Sequence, residues 1–145
     1  MSKGDYVRTK DGIIAKIVDV KENPYGEKTI FELDREINIF DLEMGDMYLA
    51  CNPKAKETTN EIDIHFGDDK IIIKSSPNII DLIEKGDYVN GYKVLFIDND
   101  LSKTKNIKCI DNEEERQCFY EQDIKSIVTK EQFSAMEYKV ESEVK

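Results

Sequence analysis

Several residue types that carry recognisable chemistry are scarce in this chain of 145 residues, which has one histidine, three cysteines and no tryptophan. The cysteines, Cys51, Cys109 and Cys118, match neither a metal site nor a disulfide framework in number or spacing. No glycine-rich phosphate loop and no dinucleotide fingerprint occurs. We therefore expect no metal, no cofactor and no catalytic residue, and we predict that the protein is not an enzyme.

The sequence also lacks a long apolar run, a signal peptide and a surplus of basic residues. No apolar stretch approaches the roughly 18 residues that span a bilayer, so we expect a cytoplasmic protein that does not enter a membrane. Aspartate and glutamate total 31 against 21 lysines and arginines, which gives a formal net charge of −10. Because such a surface repels phosphate backbones, binding to nucleic acid is disfavoured.

An internal repeat is the most informative feature that is present. The five letters of residues 3–7 recur without change at 85–89, and a weaker copy occupies 44–48. Each identical copy is followed by a glycine-containing pair, Asp11-Gly12 or Asn90-Gly91, which is a strong hairpin signal. Since self-similarity exposes the unit from which a fold is built, the pattern predicts two related β-units. For the middle copy, convergent turn chemistry is favoured over a true repeat.

The fold class that follows is mainly β, or α+β by strict count. We predict two small SH3-like or partly open β-barrel units, 1–75 and 76–145, with one or two short helices. In the first unit, residues 47–51 are predicted to form a short strand, and 61–66 with 70–74 a hairpin, because apolar and polar residues alternate there.

Two helix-start signals fall in the second half of the chain. Ser76 before Pro77 predicts a short helix over residues 79–83, because a hydroxyl cap followed by proline suits the first helical turn. Thr129 and Gln132 have the spacing of a capping box and predict a helix over 130–135. A last short strand is predicted at 138–140.

The repeated element resembles the opening strand of SH3-like and KOW-like barrels, in which Gly-Asp-x-Val leads into a tight hairpin. In such barrels surface aromatic residues commonly line the ligand groove. The resemblance makes Tyr6, Tyr88 and Tyr92 candidate binding residues, with packing in the core or at an edge as the competing interpretation. Ala15 stands where the KOW pattern usually has glycine, and basic residues are sparse.

Three further patterns indicate no site. His65 alternates out of phase with Ile62, Ile64 and Phe66, which are predicted to share the other strand face, so we expect a solvated, dispensable side chain. Residues 98–100 begin like a calcium loop, but the positions that need glycine and glutamate hold other residues. The acidic cluster at 111–115 is interpreted as a solvated turn.

Residues 76–91 and 124–133 are similar to a group of small uncharacterised proteins encoded by phages, prophages and mobile elements of Gram-positive bacteria. The resemblance covers about the C-terminal half of the chain and the opening strand. It implies an accessory gene product that acts in the host cytoplasm, for which host takeover or inhibition of a host defence system is the expected role.

Together these observations predict a non-enzymatic binding protein that recognises a host protein or a small ligand. The first alternative is a nucleic-acid-binding module built on KOW-like barrels, which requires a clustered lysine face. The second is a small enzyme with a carboxylate site, which the spacing of the acidic residues in the sequence does not indicate. The identity of the partner and the oligomeric state, including a homo-oligomer, stay open at this point.

Overall fold

The computed structural model describes residues 1–42, 45–99, 105–110 and 116–136, and the chain divides into two compact units, Met1–Leu82 and Ile83–Lys145. The sequence predicts a boundary after residue 75, whereas the division falls after Leu82. The strand that ends at Ser76 pairs with the first strand, and the short helix after it contacts both strands. The chain therefore completes the first unit only after this helix.

The first unit is an antiparallel sheet of five strands with short helices between them. The strands are β1 (Tyr6–Thr9), β2 (Ile14–Glu22), β3 (Lys28–Asn38), β4 (Thr58–Asp63) and β5 (Ile72–Ser76). Their order in the sheet is β4-β3-β2-β1-β5. The helices are α1 (Gly45–Cys51) and four 3₁₀ helices, Ile39–Asp41, Ile64–Phe66, Asp68–Ile71 and Ile79–Leu82.

Alternation of buried and exposed side chains builds the core of the first unit. Along β2, Ala15 and Ile17 are buried while Lys16 and Val18 are exposed, because successive side chains of a strand point to opposite faces. The buried cluster consists of Val7, Ala15, Ile17, Phe31, Leu33, Ile37, Ile62 and Ile71. These residues come from four of the five strands and one 3₁₀ helix, so the core depends on most of the sheet.

The second unit repeats this strand order. Its strands are β6 (Tyr88–Val89), β7 (Tyr92–Asn99), β8 (Lys105–Ile110), β9 (Arg116–Tyr120) and β10 (Ile127–Val128), in the order β10-β6-β7-β8-β9. A 3₁₀ helix, Glu121–Asp123, precedes β10, and α2 (Lys130–Met136) follows it. In both units the fifth strand pairs with the first, so the mainly β prediction with two small, partly open β-units is confirmed.

The two identical sequence copies adopt the same backbone structure. Gly4 and Gly86 both have φ of 94°, in the left-handed region that glycine reaches without strain. The side chain of Asp5 accepts a hydrogen bond from the backbone N–H three residues earlier at 3.0 Å, and that of Asp87 does the same at 2.7 Å. The repeat is therefore a turn that starts the first strand of each unit.

The middle copy has a different structure. Residues 47–51, predicted as a strand, belong to helix α1, and that prediction is wrong. A Cβ on Gly45 would overlap the carbonyl oxygen of Ile39 and lie 2.7 Å from its carbonyl carbon. The glycine is needed here because two backbone segments approach closely, whereas Gly4 and Gly86 are needed for their φ angles.

The predicted hairpin of residues 61–66 and 70–74 is also wrong. Strand β4 pairs with β3 and strand β5 pairs with β1, at opposite edges of the sheet. The side chain of Asp63 accepts the backbone N–H of His65 at 3.0 Å and starts a 3₁₀ helix, which ends at Gly67 with φ of 84°. These local bonds turn the chain away before a second strand can pair with β4.

The helices predicted in the second half are present. Residues Ile79–Leu82 form a 3₁₀ helix. Gln132 N–H donates to Thr129 Oγ1 at 3.3 Å, and Thr129 N–H donates to Gln132 Oε1 at 3.2 Å, which is the predicted capping box. The acidic turn at 111–115 and the strand at 138–140 lie outside the described residues, as does part of the calcium-like loop. Within the described segments, no helix is long and apolar enough to cross a membrane.

Candidate functional site

Tyr88 and Tyr92, the two candidate tyrosines of the second unit, do not share a surface. Tyr88 is cross-strand partner of Lys93, and Tyr92 is partner of the fully buried Val89, so the two tyrosines lie on opposite faces of the second sheet. Tyr6 belongs to the first unit, where the ammonium group of Lys16 lies 5.6 Å from its ring centroid. Tyr88 and Tyr92 therefore do not form a single aromatic surface.

Each tyrosine is half-buried against a neighbour. The Tyr88 ring stacks on Phe133 with centroids 4.8 Å apart and an interplanar angle of 25°. Tyr92 packs on Phe119 at 5.7 Å. Neither ring is fully buried, so a contribution of each tyrosine to binding stays a prediction.

A groove of about 340 Å³ lies in the first unit beside β4. Strand β4 ends the sheet, with β3 on one side only. Ile30, Ile39, Leu42 and Ile62 supply the apolar part of the lining, and Tyr48 and Phe66 supply two aromatic rings. The polar part of the lining includes Lys56 and the carboxylates of Glu61, Asp63 and Asp68. This is the combination of apolar surface and few polar groups that ligand sites usually have.

One aromatic ring of the groove is positioned by α1. Leu42 N–H donates to the Ile39 carbonyl and Gly45 N–H to the Leu42 carbonyl, each at 3.1 Å, at the start of the helix. Because Gly45 has no side chain, α1 can lie directly against this segment. Tyr48 then projects from the first turn of the helix with 49% of its surface exposed.

The other ring, Phe66, lies on the 3₁₀ helix that follows β4, and 49% of its surface is exposed. The imidazole of His65 contacts it edge-on, with ring centroids 5.1 Å apart, and contacts Tyr25 at 5.7 Å. His65 Nδ1 also lies 3.5 Å from a carboxylate oxygen of Glu27. The histidine is exposed, as predicted, and it packs against Phe66, one of the two aromatic rings of the groove.

The carboxylates of the groove differ in how they are held. Asp68 is buried and accepts the backbone N–H of Asp63 at 2.8 Å. Asp63 accepts the hydroxyl of Thr29 at 2.8 Å, a neutral donor. Glu61 lies 2.9 Å from the ammonium group of Lys21, and this hydrogen bond raises the pKa of Lys21. Three carboxylates thus line the groove against Lys56 within it and Lys21 beside it.

The arrangement of these carboxylates does not indicate a metal-binding site. Across the described residues, no group of three histidine, cysteine or acidic side chains is placed to hold a metal ion. Three acidic residues, Glu61, Asp63 and Asp68, instead line the groove beside its apolar residues. A groove with this lining suits a ligand that combines an apolar portion with a positively charged group.

A second polar feature of the first unit lies outside the groove lining. Burial, a hydrogen bond with Asp11 and the charge of Asp11 raise the pKa of the Asp41 carboxyl to about 6. Lys10 opposes this shift. Asp41 therefore changes charge at about pH 6.

Sequence reasoning missed the groove because its residues are brought together by tertiary structure. Phe66 belongs to a run whose alternation predicts a buried strand face, but the strand ends at Asp63. Tyr48 belongs to the middle repeat copy, whose helical structure was not expected. The residue pattern does not predict that the rings of Tyr48 and Phe66 are exposed to solvent.

Comparisons with known proteins supply no further guide to this site. No protein-family model, no curated protein and no solved structure matches the chain. The interpretation of the groove therefore rests on its own geometry and chemistry.

Proposed function

We propose that this protein is a non-enzymatic binding protein and that the groove beside β4 is its binding site. The observation that carries the proposal is a cavity of about 340 Å³ in which apolar side chains, two half-exposed aromatic rings and three carboxylates meet. Exposed aromatic side chains in a concave, partly apolar site are typical of ligand recognition.

The ligand class follows from the lining. Carboxylates form short, strong hydrogen bonds with ammonium and guanidinium groups, and the faces of Tyr48 and Phe66 attract cations. The same carboxylates repel phosphate, so this groove favours the binding protein over the nucleic-acid module. The proposed ligand is a cation with an apolar portion.

The biological role proposed for this binding is accessory. The likeness of residues 76–91 and 124–133 to phage and mobile-element proteins of Gram-positive bacteria supports a product that acts on a host protein or a small host molecule. Inhibition of a host defence system is the form of this role that we propose.

Two small probes of matched shape test the ligand class. The full chain labelled with ¹⁵N is titrated with phenethylamine and, separately, with 3-phenylpropionate, and amide shifts are followed by NMR. At about −0.4 kcal/mol per non-hydrogen atom, phenethylamine is expected to bind with a Kd of the order of millimolar. The shifts should centre on Tyr48, Glu61 and Phe66, and the carboxylate probe should bind at least about tenfold more weakly.

A matched pair of variants links these shifts to the groove. Phe66→Ala should weaken phenethylamine binding, whereas Phe96→Ala should not, because Phe96 is a similarly exposed phenylalanine, 53% against 49%, in the other unit. Equal binding of both probes, or shifts that spare β4 and α1, would refute the proposed site.

A further inference from the structure

We infer that the groove receives an extended peptide, which adds to β4 as a sixth strand of the first sheet. The inference deepens the proposed function and rests on it, because it names the partner class of the same groove. The partner is a polypeptide segment in which basic residues alternate with apolar residues.

Strand β4 forms one edge of the first sheet. This strand, Thr58–Asp63, is paired with β3 and is terminal in its sheet. Backbone groups of alternate residues in a strand point to the same side. The N–H of Asp63 donates to the side chain of Asp68 and that of Glu61 to Thr59 Oγ1, so both point away from β3 and toward the groove.

Side chains of the same unit protect this edge unequally. Unpaired strand edges attract other strands, and native proteins cover or block them. The N–H of Asp63 is held by a buried carboxylate at 2.8 Å, whereas that of Glu61 is held only by the Thr59 hydroxyl at 3.2 Å. Rotation of one side-chain bond of Thr59 releases the Glu61 N–H. A peptide strand can then exchange hydrogen bonds with the backbone of Glu61.

The side chains of β4 determine which side-chain pattern the peptide needs. Residues directly opposite each other in an antiparallel pair lie on the same face of the sheet. A peptide residue opposite Glu61 therefore lies beside its carboxylate and that of Asp63, on the face that also carries Glu32. The next peptide residue lies opposite Ile62, which belongs to the buried apolar cluster. The complementary sequence alternates basic and apolar side chains.

Charge complementarity decides the sign of the partner. Glu32, Glu61, Asp63 and Asp68 surround the edge, and Lys21 and Lys56 offset part of their charge. The chain as a whole carries −10. A basic peptide is attracted by both the local and the overall charge, whereas an acidic peptide is repelled.

The test uses a capped six-residue peptide of alternating arginine and leucine, matched to the six residues of β4. Two further versions carry N-methyl groups on the three arginines or on the three leucines. In an added strand only alternate N–H groups face β4, and these belong to the arginines, which lie opposite Thr59, Glu61 and Asp63. Calorimetry on the full chain should show at least about a tenfold loss for the arginine-methylated peptide and less than about a twofold change for the leucine-methylated one.

Two controls test the charge and the alternation. Glu61→Gln should weaken the unmodified peptide several-fold, and Glu36→Gln should not, because Glu36 is an exposed glutamate on β3 that does not line the groove. A peptide with its three arginines and three leucines in separate blocks should bind at least about tenfold more weakly, because alternation is lost.

The outcomes separate this inference from the proposed function. Equal binding of both methylated peptides, or no binding of the unmodified peptide, would overturn strand addition, while the phenethylamine titration would still decide whether the groove is a cation site. Loss confined to the leucine-methylated peptide would overturn the alternation assigned here, because it would place the opposite N–H groups against β4.

Discussion

Replacing Gly45 with alanine is the sharpest test of how the groove is built. The new Cβ would overlap the Ile39 carbonyl oxygen and lie 2.7 Å from the Ile39 carbonyl carbon and 3.3 Å from Phe40 Cα. All three atoms belong to the backbone, so none can move aside by a change of rotamer. The substitution therefore requires α1 to shift away from the turn that precedes it.

The magnitude follows from two opposing effects. Helix propensity alone favours alanine over glycine by about 0.5–1 kcal/mol. Overpacking against backbone atoms costs typically about 1–3 kcal/mol. Because the overlap at Gly45 involves a backbone carbonyl, we expect the upper half of that range and a net loss of about 1–2 kcal/mol. In a unit of this size, that loss lowers Tm by about 4–16 °C.

Thermal unfolding followed by circular dichroism measures the change in Tm, and phenethylamine titration of the folded variant measures the change in binding. Gly45→Ala should lower Tm and weaken binding, because Tyr48 moves with α1. Met47→Ala serves as the control, since this side chain of the same helix is 61% exposed, and its Tm should change little. An alanine variant as stable as the wild type would refute the close-approach argument, because a Cβ that overlaps backbone atoms must lower stability.

Two further predictions concern carboxylates outside the groove. Asp87 is fully buried and accepts the backbone N–H groups of Glu84 at 2.7 Å and Lys130 at 2.9 Å. Asp87→Ala should therefore lower the free energy of unfolding, measured with urea, by about 2–4 kcal/mol. Asp5→Ala, at the more exposed equivalent position, should lower it by less. Similar losses for both variants would contradict this reasoning. The raised pKa of Asp41, about 6 against 3.8, means that the folded state binds this proton more tightly than the unfolded state. Its contribution to stability is therefore full below about pH 4 and is lost as pH rises through about 6, so Asp41→Asn should gain stability relative to the wild type across this window in urea midpoints. A constant difference between the two proteins from pH 4 to pH 8 would show that Asp41 does not titrate in this way.

The second unit shows how far local signals reach. The capping box of Thr129 and Gln132 and the positive φ of Asn90 and Gly91 were predictable, because each depends on residues that are near in sequence. The strand order was not, because it depends on which edges meet after the turns have formed. The predicted hairpin after β4 fails for this reason, since the partner of β5 is β1, far away in sequence.

The candidate site was less predictable than the fold. Tyr48 and Phe66 are separated by eighteen positions, and their shared groove depends on a helix and a 3₁₀ helix that alternation patterns do not indicate. Tyr88 and Tyr92 were identifiable as neighbours in sequence, but a tight hairpin places them on opposite faces. Short spacing in a sequence does not establish a shared surface.

The sequence by itself determined the mainly β class and the two-fold use of one strand-starting turn, because glycine at a positive φ and an aspartate that caps a turn act locally. Only the tertiary structure decided that the middle glycine serves close approach and that β4 is the terminal strand of its sheet. It also placed two aromatic rings and three carboxylates around one groove. These features depend on long-range packing, in which each residue's role is set by neighbours that the chain brings together only on folding.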